Sequence, residues 1–284
     1  VITVRTIHEV RAAVQQARAR GGSIGLVPTM GALHEGHLSL VRAARADNDL
    51  VVVSLFVNPT QFAANEDLGS YPRTEERDAE LAAAAGADVL FAPPNDEIYP
   101  HGFATTVHVA GITEVLCGAH RGAGHFDGVA TVVTKLFQIV APDVAYFGQK
   151  DAQQVLVIRR MVRDLDMPVR IVACPIVREP DGLAMSSRNT YLDPVSRERA
   201  TALNRALDAA EAAVAQGRTS ATDVLGAARA VLADAGIEPE YLELRSPDDL
   251  AELDDVGPAA LLAVAAQVGP ARLIDNRILE APRS

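Results

Sequence analysis

Cysteine is scarce: Cys117 and Cys174 are the two in 284 residues, far apart and outside any C-x-x-C pair. A disulfide framework or a thiolate zinc site is therefore not expected. The chain also lacks any apolar run near the ~18 residues of a membrane span. Its opening stretch, VITVRTIHEVRAAVQQARAR, reads as a short strand and an amphipathic helix without a signal peptide's apolar core, so the expected address is cytoplasmic. An excess of basic charge is missing too, with 26 Lys and Arg against 37 Asp and Glu for a formal net charge of −11. Proteins that grip nucleic acid through phosphates show a Lys/Arg face, so neither nucleic acid nor membrane is expected as a partner. An anionic small substrate then requires a local basic pocket. There is no internal repeat, and no biased tract beyond alanine-rich helices, which reflect helix propensity.

What is present is an ordinary globular composition, 49 % apolar and 22 % charged. At about 150 residues per domain the length suits one large domain or two modest ones. Apolar spacing of three and four predicts a helix over 6–20, stopped by Gly21-Gly22, and a short strand over 23–27 ending at Pro28. A helix is expected over 34–46. Leu50 to Val57, nearly continuous in apolar and β-branched residues, predicts a strand buried on both faces of a parallel sheet. Helices at 75–85, 129–140 and 152–165 alternate with strands at 88–91, 144–147 and 169–174. This alternation predicts an α/β fold, a Rossmann-like open parallel sheet with ligands beyond the carboxyl ends of its strands. After residue 176 the texture changes to helices at 196–216 and 221–235 and strands at 241–244, 260–268 and 272–274. The expected organisation is a domain of residues 1–176 and a second, smaller α+β C-terminal domain of residues 177–284.

The densest chemistry lies in Val27-Pro-Thr-Met-Gly-Ala-Leu-His-Glu-Gly-His37, which runs from strand through glycine turn to helix start. His34 and His37 share a helix face, Gly31 and Gly36 let a ligand approach the backbone, and the helix N-terminus offers free N–H groups. Together these form a candidate phosphate and nucleotide site. As zinc ligands the pair lacks the H-E-x-x-H spacing and an obvious third ligand. Either histidine alone would read as an incidental surface residue.

His34-Glu35-Gly36-His37, an H-x-G-H of HIGH type after a strand, resembles the signature of the nucleotidyl-transferring α/β superfamily. That superfamily includes class I aminoacyl-tRNA synthetases, although this chain shows no RNA-binding extension. Four further motifs follow: Phe56-Val-Asn-Pro-Thr-Gln-Phe62, Tyr71-Pro-Arg-Thr74, Gly148-Gln-Lys-Asp-Ala-Gln-Gln154 and Asp181-Gly-Leu-Ala-Met-Ser-Ser-Arg-Asn189. In this order the set closely resembles the pantothenate synthetase (pantoate:β-alanine ligase) family. The likeness continues weakly into Tyr241-Leu-Glu-Leu and Arg272-Leu-Ile-Asp-Asn276.

The resemblance implies a ligase forming a C–N amide bond (EC 6.3.2.1) that condenses (R)-pantoate with β-alanine in pantothenate biosynthesis. The reaction passes through a pantoyl adenylate and releases pyrophosphate and AMP. It further implies ATP as co-substrate, Mg2+ carried mainly by the ATP phosphates with no protein metal site, and a homodimer formed through the larger domain. On this resemblance residues 1–176 bind ATP and pantoate and residues 177–284 act as a lid. His37 is the expected donor to the phosphates, with His34 beside it, and Lys150 and Arg188 bring charge. ATP contacts are expected from Met30, Gly31, Ala32, Leu33, His34, Glu35, Gly36 and His37. Further ATP contacts are assigned to Gly148, Gln149, Lys150, Asp151, Val177, Met185, Ser186, Ser187 and Arg188. Asp151 is placed at the ribose hydroxyls. Gln61 and Gln154 are the expected pantoate ligands, Gln61 also for β-alanine, because an amide donates and accepts at once.

Several residues keep a second reading. Lys150-Asp151 reads equally as a surface turn with a helix cap, Ser186-Ser187 as loop chemistry, and Gln154 as an exposed helix position. Asn58 and Tyr71 are secondary candidates for the acid pocket. The glycine-rich stretch from Arg121 through His125 to Gly128 reads as a flap over the adenylate or as a plain turn. Asp78 is a candidate helper for magnesium, and Arg159-Arg160 with Arg163 reads as a solvated helix face. Thr60 and Gln149 stand where the family often has Met and Glu. The rival activity is a nucleotidylyltransferase for a phosphorylated acceptor, which would predict further Arg or Lys at the acid pocket. A non-catalytic nucleotide-sensing module would leave the polar loops unexplained.

Overall fold

The computed structural model describes residues 1–62, 68–69 and 71–281. The chain divides into two compact units. The first comprises Val1–Glu114, Gly118–Gln149 and Gln154–Pro175, and the second Val115–Cys117, Lys150–Gln153 and Ile176–Ser284.

In the first unit the strands are β1 (Ile2–Val4), β2 (Ile24–Thr29), β3 (Leu50–Leu55), β4 (Val89–Phe91), β5 (Val144–Gly148) and β6 (Arg170–Cys174). The helices are α1 (Ile7–Arg18), α2 (Glu35–Asp47), α3 (Glu75–Ala85) and the short α4 (Asn95–Ile98), followed by α5 (Cys117–Arg121), α6 (Ala123–Val140) and α7 (Ala152–Asp164), of which Cys117 and the first two residues of α7 belong to the second unit. The six strands form one parallel sheet in the order β1-β4-β3-β2-β5-β6. This is the expected Rossmann-like α/β sheet. Val51, Val52 and Val53 of β3 are fully buried, as a strand covered by helices on both faces must be.

Strand β2 runs through Pro28 instead of ending there. Thr29 faces β3, its carbonyl accepting from the Phe56 N–H at 3.0 Å, so Pro28 faces the β5 side. On that side the last β2–β5 pair is Leu26↔Ala145, and the missing N–H of Pro28 interrupts no ladder.

The glycine-rich flap is also corrected. Residues 117–121 and 123–140 are helical, with Gly122 at φ +86° between them. Of the glycines, Gly128 serves a close approach: a Cβ there would lie 2.5 Å from the Thr60 carbonyl oxygen. Arg159 and Arg163 are exposed on α7, as expected, while Arg160 is half-buried and Met161 buried between them.

The second unit holds an antiparallel sheet β7-β8-β9 made of Pro239–Arg245, Ala260–Val268 and Ala271–Leu279. Helices α8 (Pro194–Ala200), α9 (Ala202–Ala215) and α10 (Ala221–Asp234) belong to it. Ala202, Leu203, Ala206, Leu207 and Ala210 of α9 join Leu262, Val264 and Ala266 of β8 in one core. The single helix expected over 196–216 is two, divided at Thr201. There the hydroxyl donates to the Glu198 carbonyl at 2.7 Å, competing with the backbone ladder. Strand β9 extends past the expected 272–274 because Asp275 and Asn276 are buried with partners: Asp275 takes Arg178 at 2.6 and 3.0 Å.

Candidate active site

Chain order in the first sheet reverses between β2 and β5, and such a switch point is where open α/β sheets bind ligands. Beyond the carboxyl end of β2 lie Met30 to His37, and beyond β5 lie Gly148 and Gln149. The turn after β2 is demanding, with Gly31 at φ +87° and Ala32 at φ +50°. A non-glycine residue there costs on the order of 1 kcal/mol. Asp78 on α3 holds it: the fully buried carboxylate accepts the N–H of Ala32 at 2.9 Å and of Leu33 at 2.8 Å. Asp78, a candidate helper for magnesium from sequence, thus has a structural use as well, each of its oxygens accepting one backbone N–H. Among the described residues no group of three His, Cys, Asp or Glu side chains is placed to hold a metal ion.

His34 and His37 close the first turn of α2 as a reciprocal cap. His34 Nδ1 accepts from the Gly36 N–H at 3.2 Å, and His37 Nδ1 accepts from the His34 N–H at 3.4 Å. Their ring centroids are 4.1 Å apart. An Nδ1 that accepts leaves the proton of the neutral ring on Nε2, so both imidazoles carry their N–H on the far edge. The helix N-terminus adds its own positive end to the same place.

Beyond β3 a second group gathers around Asn58, which is 1 % exposed. Asn58 Nδ2 donates to Gln61 Oε1 and to the Gly128 carbonyl, each at 3.1 Å. Its Oδ1 accepts from Tyr99 Oη at 2.8 Å and Thr60 Oγ1 at 2.9 Å. Burial pushes the Tyr99 phenol above its ordinary pKa, keeping the proton it donates. Gln61 Nε2 in turn reaches Met30 Sδ at 3.0 Å, joining the acid-pocket candidate to the β2 loop. His125 on α6 hydrogen-bonds the Gln61 carbonyl through Nδ1 at 2.9 Å, and Arg121 Nη1 stands 2.9 Å from His125 Nε2. Tyr71 is buried, edge-on to Phe62. Gln154 is half-buried on α7.

In the second unit Lys150 and Asp151 lie on a 3-10 turn, with Lys150 Nζ 3.8 Å from Asp151 Oδ2. The Lys150 carbonyl accepts from Asn276 Nδ2 at 2.9 Å. Val177 and Met185 face each other across a turn, the Met185 N–H donating to the Val177 carbonyl at 3.0 Å. Ser186 caps the 3-10 turn Ser187–Tyr191 by accepting the Arg188 N–H at 3.3 Å. Glu179 braces this segment, accepting from Asn189 at 2.7 Å and from Arg197 at 2.8 and 3.1 Å. The Arg197 guanidinium holds the Glu179 carboxyl below the ordinary carboxylate range.

The structure thus brings together Met30 to His37, Gln61 and Asn58 in the first unit, and Val177, Met185, Ser186 and Arg188 in the second. Tyr99 was missed from sequence, although it follows the carboxyl end of β4 as the other polar loop residues follow theirs. Gln153, noted only as a neighbour of Gln154, is buried and serves structure: it accepts the Cys117 N–H at 2.9 Å and donates to the Val115 carbonyl at 2.7 Å.

Comparison with known proteins agrees along the whole chain. The family profile described as pantoate-beta-alanine ligase matches residues 2–278. A pantothenate synthetase of Moorella thermoacetica is 56 % identical over 278 residues, covering 98 % of each chain. The crystal structure of pantothenate synthetase from Thermus thermophilus superposes with a TM-score of 0.93 at 50 % identity, covering 99 % of this chain and 100 % of that one. The pantoate-beta-alanine ligase of Francisella tularensis, solved in complex with beta-gamma ATP and beta-alanine, gives a TM-score of 0.80 at 34 % identity over 98 % of this chain and 97 % of its own. With a profile match and an identity of this extent, the chain belongs to the pantoate-beta-alanine ligase family.

Proposed function

We propose that this chain condenses pantoate with β-alanine at the expense of ATP, giving pantothenate through a pantoyl adenylate. The observation that carries the reading in detail is the 3.0 Å contact between Gln61 Nε2 and Met30 Sδ. It sets an amide suited to a hydroxy acid beside the loop whose helix N-terminus suits phosphate. In the first step a pantoate carboxylate oxygen attacks the α-phosphorus and pyrophosphate leaves. In the second, the amine of β-alanine attacks the acyl carbon, AMP leaves, and the amine loses its proton as the amide forms.

Both steps load charge onto phosphate oxygens, so the chain's task is positioning and charge stabilisation. His37 and His34 offer Nε2–H donors, and the N-terminus of α2 adds backbone N–H groups. Lys150 contributes a compact charge and Arg188 a planar fork, with Ser186 and Ser187 as hydroxyl partners. Gly148, Gln149 and Val177 are assigned to the nucleotide and Asp151 to its ribose. Gln61 and Gln154 hold pantoate, and Gln61 also serves β-alanine. Magnesium enters with the nucleotide, held by its phosphates and water. A homodimer through the first unit and a cytoplasmic address complete the reading, and light scattering tests the former.

The decisive experiment is isotope exchange between pyrophosphate and ATP in the absence of amine. Exchange that depends on pantoate is expected. Absence of exchange in a protein that still binds ATP overturns the adenylate route.

A further inference from the structure

We infer that Tyr99 is a positioning residue for acid recognition: acting through Asn58, it holds the amide of Gln61 with its N–H donors turned toward the acid substrate. The inference rests on the reading of Gln61 as the acid ligand and adds what anchors the partner amide against which Gln61 is held.

A side-chain amide has two ends of similar shape and opposite hydrogen-bonding sense, so a ligand amide is selective only if its flip is fixed. Around Asn58 the fix is complete. Two hydroxyls converge on Oδ1, from Tyr99 at 2.8 Å and Thr60 at 2.9 Å. Two carbonyl-type oxygens converge on Nδ2, from Gly128 and Gln61, each at 3.1 Å. Turning Asn58 over would set its oxygen against the Gly128 carbonyl and its Nδ2 against the Thr60 N–H, which stands 3.4 Å from Oδ1. These two backbone groups fix the sense of the amide, and the two hydroxyls, which can donate or accept, anchor the oxygen so presented. With Nδ2 fixed, Gln61 must offer Oε1 to it, and Nε2 is left as the outward end.

That outward donor rests on Met30 Sδ at 3.0 Å. A thioether is a weak acceptor, so a carboxylate or hydroxyl oxygen of the acid displaces it with a gain. The chain of command therefore runs from the Tyr99 hydroxyl to Asn58, to Gln61, to an oxygen of pantoate. Thr60 acts on the same atom of Asn58 as the second member of the pair.

The Tyr99 ring lies 6.1 Å from Phe56 and 5.1 Å from Phe103, centroid to centroid, so Tyr99→Phe keeps the packing and removes one hydroxyl. The test is a double-mutant cycle of Tyr99→Phe with Gln61→Ala, reading KM for pantoate and for ATP separately. Tyr99→Phe is expected to raise the KM for pantoate about fivefold, the worth of one hydrogen bond, with the KM for ATP unchanged. In the Gln61→Ala background its effect should vanish. A rise of equal size in both backgrounds, or an equal rise in both KM values, overturns the positioning role while leaving Gln61 as ligand. A Gln61→Ala protein with normal KM for pantoate overturns the acid reading of Gln61, and this inference falls with it. Thr60→Val, which removes the other hydroxyl, is expected to shift the KM for pantoate in the same direction; no shift in either single variant overturns the inference even if one of them folds poorly.

Discussion

The carboxylate of Asp78 accepts the backbone N–H of Leu33 at 2.8 Å, across 45 residues of chain, and through the neighbouring N–H of Ala32 it pins the turn that leads to both histidines. The carboxylate is fully buried and both donors are uncharged backbone groups, so it holds backbone geometry. Asp78→Asn retains one acceptor and sets an N–H2 against a backbone N–H. A stability loss of about 2 kcal/mol in urea melts is expected, together with a slower pyrophosphate exchange. Added magnesium should not restore the rate. Restoration by magnesium would return Asp78 to the metal.

The two histidines can be separated in role. His37→Ala is expected to lower the adenylation rate by about 10² or more, as for the loss of one charge-stabilising donor. His34 also caps α2, which Asn does well, so His34→Asn should keep the melting temperature while slowing adenylation. His34→Ala should lose about 1 kcal/mol of stability in addition. Equal melting temperatures for the Ala and Asn variants would show that the cap contributes nothing.

The segment carrying Val177, Met185 and Ser186 is braced by Glu179 and Arg197, and this brace is sensitive to acid. The Arg197 hydrogen bond depresses the Glu179 pKa in the folded chain. Asp181, although partial burial opposes it, is likewise depressed by Arg197. A depressed carboxylate stabilises above its unfolded pKa and loses that contribution as pH falls through the folded value. Stability should therefore decline as pH drops below about 4, the unfolded range of these acids. Arg197→Gln should flatten this decline, measured as urea midpoints at pH 7 and in the acid range. An unchanged slope would remove the brace from the acid response.

Much of this was legible because it depends on local pattern. The run at 50–57 is apolar and β-branched, and α3 spans the expected residues because its acidic first turn and alanines leave little choice. Residues 260–268 likewise match β8. What escaped depended on contacts remote in sequence. Glycines at 122, 124 and 128 read as a loop by propensity, yet helix α6 needs Gly128 small to pass the backbone of Thr60. Strand β9 was cut short at Asp275-Asn276 because nothing local announces that Arg178 and the Lys150 carbonyl wait for them. The motif loops of 30–37 and 148–149 stand at the carboxyl ends of β2 and β5, where the strand–helix alternation placed them. The supports of the candidate site, Asp78 and Tyr99, were hidden, since a side chain that serves a distant backbone or amide leaves no spacing of its own.

Gly128 offers the most direct test of how tightly those supports are built. A Cβ there would stand 2.5 Å from the Thr60 carbonyl oxygen, 2.6 Å from its carbon and 2.7 Å from the Gln61 nitrogen. These are backbone atoms, so no side chain can swing aside, and the segment bearing Asn58, Thr60 and Gln61 must move away from α6. The Gly128 carbonyl also receives Asn58 Nδ2, so the same shift strains the Asn58–Gln61 amide pair proposed to hold the acid. Gly128→Ala is expected to destabilise by about 1–3 kcal/mol, the usual cost of overpacking. The KM for pantoate should rise well above that for ATP, since the β2 loop is anchored separately by Asp78. Gly124→Ala, also on α6 and with no atom within 4 Å of its Cβ, is the matched control and should leave both constants unchanged. If the two variants behave alike, the close approach at Gly128 is irrelevant to acid binding.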